Sequence, residues 1–198
     1  MQQSSINLSA LIGSRICHDL ISPIGAINNG LELLGMTAKQ ASPEMALISE
    51  SVENATARIR FFRVAYGATG NQLMGRPEVV SVLKDLAKGS RLTYDWIPQD
   101  PMPRAQVRLV FLGLQCVETA MPFGGNVTMR VENDRWHLQA TAEKLNLEED
   151  LWNNIEGAAN NAPVSPAQVQ FALLPLLTAE MGRKLSIEVT ETTIELQF

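Results

Sequence analysis

Residues 10–34 read ALIGSRICHDLISPIGAINNGLELL, and this stretch decides the fold of the N-terminal part of the chain. Apolar or small residues recur there in alternate steps of three and four, at Ala10, Gly13, Cys17, Leu20, Ile24, Ile27, Leu31 and Leu34. Such a heptad seam is typical of helices that pack along their length. We therefore predict a long helix that ends at Gly35, because glycine readily adopts the conformation that stops helices.

A second helix is predicted after a short link at about residues 36–42. Ser42 suits the N-cap, Pro43 the first helical position and Glu44 the first turn. The seam of this helix consists of Met45, Ile48, Val52, Ala55, Ile59, Phe62 and Tyr66. The short link makes the two helices antiparallel, and a lone hairpin leaves one side of its seam uncovered. The sequence therefore predicts that two chains join their hairpins in a C2-symmetric four-helix bundle.

Glycine and proline are dense between Gly67 and Pro77, which indicates a domain boundary. We predict a dimerisation hairpin over residues 1–72 and a second domain over residues 76–198. The patterns in the second domain predict helices at Val79–Lys88, Arg104–Met121, Glu148–Asn160 and Pro166–Met181, and strands at Leu92–Ile97, Asn126–Glu132, Trp136–Ala142, Leu185–Thr190 and Thr193–Phe198. The fold class is therefore α+β, with the helices on one face of a mixed sheet.

Composition narrows the classes of function. The chain has 198 residues and a net charge of −5, which disfavours nucleic acid as a partner because phosphate-backbone binding needs clustered Lys and Arg. No apolar run approaches the ~20 residues of a membrane-spanning helix. The first residues show no signal peptide, and Cys17 and Cys116 lie in apolar helical contexts typical of buried free thiols. We therefore expect a cytoplasmic protein that does not contact a membrane.

His18 is the candidate site residue. With Cys17 at position a of the heptad, His18 falls at position b, on the solvent side. Its helical neighbours on that side are Ser14, Arg15, Ser22, Gly25 and, one turn further, Asn29. A neutral imidazole nitrogen is nucleophilic near neutral pH and can carry a phosphoryl group. On helix position alone, a surface histidine without a role is the commoner case, because most exposed polar residues only contact solvent.

The motif around His18 resembles a known family. His18-Asp19-Leu20-Ile21-Ser22-Pro23-Ile24 is similar to the phospho-acceptor box of sensor histidine kinases, except that those kinases usually carry a basic residue where Ile21 stands. The segment 17–34 closely resembles the ChpT-type histidine phosphotransferases of bacterial phosphorelays, and the resemblance covers essentially the whole chain. It implies a dimeric four-helix bundle followed by a degenerate kinase-ATPase-like α/β sandwich, with His18 as phosphoryl carrier and Asp19 as its catalytic partner.

The second domain differs from a kinase at its nucleotide motifs. Gln115 and Thr119 stand where kinases hold metal-binding asparagines, and neither 141–145 nor 169–173 contains the expected glycines. Glycines let the backbone approach phosphates, and an asparagine holds the magnesium. The resemblance therefore implies that this chain binds no ATP, cofactor or metal, and that a partner receiver domain supplies Mg²⁺.

The resemblance implies that His18 accepts a phosphoryl group from the receiver of a hybrid histidine kinase and passes it to the receiver of a response regulator. The expected docking residues are Arg15, Ile21, Ser22, Gly25, Asn28, Asn29 and Glu32 on the first helix, and Asn54, Ala57 and Arg58 on the second. Arg58 could equally belong to a solvated helix face, and Gly25 could be a packing glycine. Two other functions stay open: a dimeric adaptor that sequesters receivers without histidine chemistry, and a divergent kinase.

Overall fold

The N-terminal part of the chain is a pair of long helices. The computed structural model describes residues 2–37, 42–155 and 164–198. Helix α1 spans Gln2–Thr37 and helix α2 spans Pro43–Ala65. Gly13 of α1 lies against Tyr66 just beyond α2, whereas Gly25 lies near the middle of α2, so the helices are antiparallel as predicted.

The ends of these helices test the sequence signals directly. The predicted cap of α2 is confirmed, because the hydroxyl of Ser42 accepts a hydrogen bond from the Met45 backbone N–H at 3.2 Å and Pro43 occupies the first turn. The predicted end of α1 at Gly35 is wrong, because the helix continues to Thr37. Glycine permits a helix to stop, but here the helix continues for two more residues.

The second part alternates helices and strands. After a short strand β1 (Leu73–Met74), its elements are α3 (Arg76–Lys88), β2 (Leu92–Trp96), β3 (Met102–Pro103), α4 (Arg104–Ala120), β4 (Gly125–Glu132), β5 (Arg135–Thr141), α5 (Glu149–Ile155), α6 (Gln170–Glu180), β6 (Ser186–Val189) and β7 (Thr193–Gln197). The helix predicted over Pro166–Met181 is interrupted, because Pro166–Gln168 forms a separate 3₁₀ turn before α6. Of the helix predicted over Glu148–Asn160, residues after 155 lie outside the described part.

Five strands form one mixed sheet in the order β2-β4-β5-β7-β6. Strands β2 and β4 are parallel, and the other neighbours are antiparallel. Strands β4 and β5 form a hairpin: Asn133 and Asp134 have φ of 51° and 60°, the left-handed conformation that tight two-residue hairpins require. Strands β1 and β3 pair in a separate two-stranded sheet that the sequence did not reveal.

One hydrophobic core joins both parts of the molecule. The inward face of the sheet packs on α4, whose side chains Val107, Val110, Phe111 and Leu114 are buried. Phe61 of α2 belongs to the same core, because its ring stacks on Phe111 with centroids 4.7 Å apart and planes 7° from parallel. The C-terminal end of the hairpin is therefore built into the sandwich.

Polar contacts reinforce this junction. The guanidinium of Arg108, buried in α4, donates to the Ala65 carbonyl at 3.2 Å. Arg104 donates to the Arg63 carbonyl at 3.2 Å, which satisfies a second carbonyl at the end of α2. The last turn of a helix leaves such carbonyls without helical partners, so these arginines cap α2. Among the described residues, none of the helices is long and apolar enough to cross a membrane.

Candidate functional site

His18 lies in the middle of α1 with its side chain exposed. The adjacent Cys17 is buried, with only 6% of its side chain accessible, and burial raises the pKa of its thiol. Neighbours in a helix point about 100° apart. The burial of Cys17 therefore directs the imidazole of His18 outward, as the heptad position predicts.

A track of exposed positions continues along α1 from His18. Ser22, Gly25 and Asn29 follow at helical spacing, and all three are exposed. A Cβ atom built on Gly25 would meet nothing within 4 Å, so this glycine does not pack against its own chain. The surface beside His18 can therefore be approached closely. Ile21 is also exposed, while the side chains of Arg15 and Asp19 lie outside the described part.

The track leads into a groove with a volume of about 300 Å³. Three helices line it: α1 with Gly25, Asn28 and Asn29, α2 with Glu53, Asn54, Thr56 and Ala57, and α3 with Asp85 and Lys88. Five of the predicted docking residues therefore lie together in one concave surface. Ala57 is buried and belongs to the floor of this groove. Asn28 donates to Glu32 at 2.8 Å, so the last predicted docking residue of α1 adjoins the groove.

Four groove residues were missed by sequence reasoning: Glu53 and Thr56 of α2, and Asp85 and Lys88 of α3. Asp85 and Lys88 form an ion pair at 3.5 Å on α3, and Asp85 also accepts a hydrogen bond from Arg60 of α2. Their place beside α1 depends on how α3 packs against the hairpin. Gly89 at the end of α3 permits that packing, because a Cβ there would come within 2.4 Å of the Asn54 amide oxygen.

Arg58, the remaining predicted docking residue of α2, does not line this groove. It lines a small cleft together with Asn54, Ala57, Leu86 and Gly89. Its guanidinium is 3.9 Å from the carboxylate of Glu118 in α4. Burial raises the pKa of Glu118, and the charge of Arg58 partly offsets that rise. Arg58 therefore faces the sandwich as well as solvent.

The positions that resemble the nucleotide motif of kinases are occupied by internal contacts. The hydroxyl of Tyr66 donates to the amide oxygen of Gln115, which links α2 to α4. The hydroxyl of Thr119 donates to the Cys116 carbonyl at 2.7 Å. In the part of the chain that the structure describes, no group of three or more His, Cys, Asp or Glu side chains could hold a metal ion.

His137, the second histidine, takes part in a polar network between strands. It lies in β5 with its Nδ1 atom 2.9 Å from the Glu195 carboxylate of β7. Arg130 of β4 bonds the same carboxylate at 3.2 Å. These three residues form a polar network on the open face of the sheet.

Comparisons with known proteins cover nearly the whole chain. Residues 76–193 match the model of the histidine phosphotransferase C-terminal domain. The protein phosphotransferase ChpT of Brucella abortus (strain 2308) is 34% identical over 198 residues, covering 96% of this chain and 94% of that protein. A solved relative, described as the 1.7 Å structure of a bacterial phosphotransferase, is also 34% identical, with a TM-score of 0.71 and the same coverage of 96% and 94%.

A more distant likeness concerns the fold alone. Full-length ShkA in complex with AMPPNP matches with a TM-score of 0.51 at 15% identity, covering 96% of this chain and 45% of that one.

Proposed function

The chain belongs to the ChpT-type histidine phosphotransferase family, and from this premise we propose that His18 is its phosphoryl carrier. His18 takes a phosphoryl group from the receiver aspartate of a hybrid histidine kinase and gives it to the receiver aspartate of a response regulator. The observation that carries this proposal is the exposure of His18 at the head of an open track that leads to a groove. A relay step of this kind takes place in the cytoplasm.

The chemistry uses one nucleophile twice. An imidazole nitrogen of His18 attacks the phosphorus of the aspartyl phosphate, the phosphorus–oxygen bond to the aspartate breaks, and the carboxylate leaves with the electron pair. In the second step the carboxylate of the next receiver attacks, and the phosphorus–nitrogen bond breaks. Catalysis of phosphoryl transfer rests mainly on positioning and charge neutralisation. Each receiver supplies the Mg²⁺, and Asp19 positions the imidazole.

The receiver docks along the track and the groove. Exposed Ile21 and Ser22 contact it beside the transferring group, with Arg15 one turn before. The groove then accepts a projecting part of the receiver between Gly25, Asn29 and Asn54, with Asn28, Glu32, Ala57 and Arg58 around it. Support comes from the concave shape of this surface and from the absence of intrachain contacts at Gly25.

Two chains form the working unit. The seam of α1 supports this proposal, because its alternate members remain exposed in a single chain: Leu20 by 45%, Ile27 by 48% and Leu34 by 56%. Leucine and isoleucine side chains in a helical stripe favour burial against a second helix. A second hairpin covers this stripe and completes a four-helix bundle.

The chain transfers phosphate without binding ATP. Gln115 and Thr119 direct polar atoms to Tyr66 and Cys116 rather than toward a metal ion. The likeness to an AMPPNP-bound protein concerns the shape of the domain. We infer that the sandwich is a kinase-type ATPase fold that serves here as a scaffold.

The test is a relay reconstituted from purified proteins. A receiver carrying labelled aspartyl phosphate is mixed with this chain and with a second, unlabelled receiver. We expect the label to pass to the second receiver only when the chain is present, and labelled ATP alone to leave the chain unlabelled. His18→Ala abolishes transfer, and the matched control His137→Gln preserves it.

The same variants separate the relay from the adaptor. His18→Ala should still bind the receiver, because it removes the nucleophile and leaves the track intact. If His18→Ala transfers normally, or if the wild-type chain only retains the labelled receiver, the carrier proposal is wrong and sequestration replaces it.

A further inference from the structure

Strand β2 is an open edge of the sheet. In the described residues it pairs only with β4, through the register Leu92–Trp96 against Gly125–Met129. The Ile97 backbone N–H donates to the Met129 carbonyl at 3.0 Å, so residues 93, 95 and 97 direct their backbone groups toward β4. In a strand, the backbone N–H and C=O groups of successive residues point alternately to one side of the strand and to the other. The backbone N–H and C=O groups of Tyr94 and Trp96 therefore face away from the sheet.

A groove of about 500 Å³ runs along this edge. One wall of the groove is the edge strand from Thr93 to Ile97. The other wall is one side of α3, which consists of Arg76, Val80, Leu83, Lys84 and Ala87. Natural edge strands are usually blunted by lysine, proline, a bulge or a covering element. The segment Leu92–Trp96 contains neither lysine nor proline, and the groove lies along it.

Hydrogen-bond donors in this groove lack acceptors. The side chain of Trp96 is only 4% exposed, yet its indole nitrogen Nε1 has no hydrogen-bond partner within the described residues. The same holds for Nε of Arg76. By contrast, Nε1 of Trp136 donates to Gln106 at 2.9 Å. Buried donors without acceptors cost free energy, so they point to an occupant that supplies acceptors.

The charges of the groove indicate which occupant fits. Arg76 and Lys84 place two cations on its helical wall, in a chain whose net charge is −5. Asp95 also lines the groove, but its carboxylate already accepts a hydrogen bond from Asn126 at 2.9 Å. The groove is therefore complementary to carboxylates. Val80 lies between the two cations and offers an apolar contact.

The spacing of these groups matches an extended chain. Arg76 and Lys84 are separated by about 12 Å along α3, at 1.5 Å per helical residue. In a strand, four residues span about 13 Å, and alternate side chains point the same way. Acidic residues four apart would therefore meet both cations, and the residue midway between them would meet Val80.

From these observations we propose that the groove between α3 and β2 binds an extended acidic segment of a partner protein, which joins the sheet as a strand beside β2. The segment hydrogen-bonds the outward backbone groups of Tyr94 and Trp96, as peptides do when they augment a sheet. Its carboxylates lie against Arg76 and Lys84. This surface is separate from His18 and does not depend on phosphoryl transfer.

The test uses the full chain and a fluorescein-labelled synthetic peptide that repeats glutamate, threonine, valine and threonine, with blocked ends. We expect saturable binding by fluorescence anisotropy, and a shift of one of the three tryptophan indole N–H signals in the NMR spectrum. That signal is assigned to Trp96 by its absence in Trp96→Phe. The variant Lys84→Glu weakens binding by about tenfold, because it replaces attraction with repulsion. The matched control Lys144→Glu, a charge reversal at an exposed lysine outside the groove, leaves binding unchanged.

Two peptide controls address the mode of binding. Lysine in place of glutamate should abolish binding, and N-methylation of alternate peptide nitrogens should do the same by removing the strand hydrogen bonds. Equal binding of the N-methylated peptide, no binding at millimolar peptide, or an unchanged affinity in Lys84→Glu would each overturn the proposal. If Lys84→Glu instead alters the sedimentation of the chain alone, the occupant is a second copy and the proposal is also overturned. The relay assay of His18 is read independently of all these outcomes.

Discussion

His18 points outward because Cys17 beside it is held in the interior. The Cys17 thiol is buried and its pKa is raised by that burial, so it remains a neutral packing group. This inward anchor fixes the rotation of α1 about its axis. Ser22, Gly25 and Asn29 then share the exposed side of the helix with His18. At the scale of single residues, the exposure of the site is therefore set by the rotation of α1 about its axis.

Gly25 gives a prediction at this scale. Apart from its chain neighbours and its own helix backbone, no atom of the described residues lies within 4 Å of a Cβ built on Gly25 or on Gly35, so a side chain at either position starts into open space. We expect Gly25→Trp to slow transfer from a phosphorylated receiver by about tenfold or more, because it fills the track beside His18. The matched control Gly35→Trp, further along the same helix, should transfer at the wild-type rate.

Urea denaturation of both variants completes this test. Replacing a mid-helix glycine removes its conformational cost of about 0.5–1 kcal/mol, so neither variant should be less stable. Normal transfer by Gly25→Trp would show that receivers do not use the track.

Sequence reasoning at the residue scale succeeded where a local rule decides. The heptad position of His18 predicts its exposure, and the Ser42-Pro43 pair predicts the start of α2. It failed for Asp85 and Lys88, which line the groove only because α3 packs against α2. No local pattern in a helix states which other helix it will contact. The contact of Arg58 with Glu118 was missed for the same reason.

At the scale of elements, α1 carries two different faces. Gly13, Cys17, Ile24 and Leu31 are buried or partly buried, whereas Leu20, Ile27 and Leu34 are exposed by about half of their area. The two sets alternate along the heptad seam. The first set packs against α2, and the second remains available to another helix. This division is what a hairpin needs in order to join a second hairpin.

A substitution of Ile27 tests the proposed dimer. A charge placed in the centre of a buried seam loses its hydration, and C2 symmetry places two such charges in one interface. We expect Ile27→Asp to raise the dissociation constant of the dimer by about a hundredfold or more, measured by sedimentation velocity. The matched control Phe123→Asp changes an exposed apolar residue of the sandwich and leaves the dimer intact.

The far-ultraviolet circular dichroism of Ile27→Asp should retain its helical signal at concentrations where it is monomeric, since Ile27 is already half exposed in one chain. A wild-type chain that sediments as a monomer, or an Ile27→Asp variant that remains dimeric, would contradict the bundle.

Helices and strands were predicted well where apolar residues repeat regularly over many positions, and less well where the segment is short. The helix and strand positions of the sandwich agree with the structure within a few residues, from α3 to β7. The two-residue strands β1 and β3 were missed, because so short a segment has no alternation to detect. The interruption between Pro166–Gln168 and α6 was also missed, since the apolar pattern continues across it.

At the scale of the whole molecule, the hairpin and the sandwich share a core. Phe61 packs on Phe111, and Arg108 and Tyr66 connect α2 to α4 by hydrogen bonds. Sequence reasoning divided the chain into two domains at residues 72–76, a division that stays a prediction. The shared core indicates that the two parts stabilise each other. The position of His18 relative to α3 is fixed through this junction.

The chain has two tyrosines, Tyr66 at this junction and Tyr94 in β2, and both are partly buried. Their ionisation determines how the stability of the chain changes in alkali. Burial raises the pKa of Tyr66 to about 12 and the pKa of Tyr94 to about 12, with the Cys116 and Glu118 charges adding to the rise. An unfolded phenol ionises near pH 10, so between about pH 10 and 12 the folded chain binds more protons than the unfolded chain. The contribution of these two phenols to the free energy of unfolding therefore falls as pH rises through this interval and is constant at lower pH.

Urea denaturation as a function of pH, followed by tryptophan fluorescence, measures this fall. We expect the decrease of the midpoint with pH to steepen above about pH 10, where the unfolded phenols ionise. The variant Tyr94→Phe should show a shallower decrease, because it has one phenol fewer to ionise. If the decrease in both Tyr94→Phe and Tyr66→Phe is as steep as in the wild-type chain, the alkaline transition belongs to other groups.

The central claim is that the phosphoryl group rests on His18. It is tested most directly by incubating the chain with an aspartyl-phosphorylated receiver and mapping the phosphate by mass spectrometry under neutral conditions. We expect a single modified peptide, with the phosphate on the His18 imidazole and lost after brief exposure to acid. A phosphate on Ser14, Asp19 or Ser22 instead, or an unmodified His18 while the receiver loses its phosphate, would contradict it.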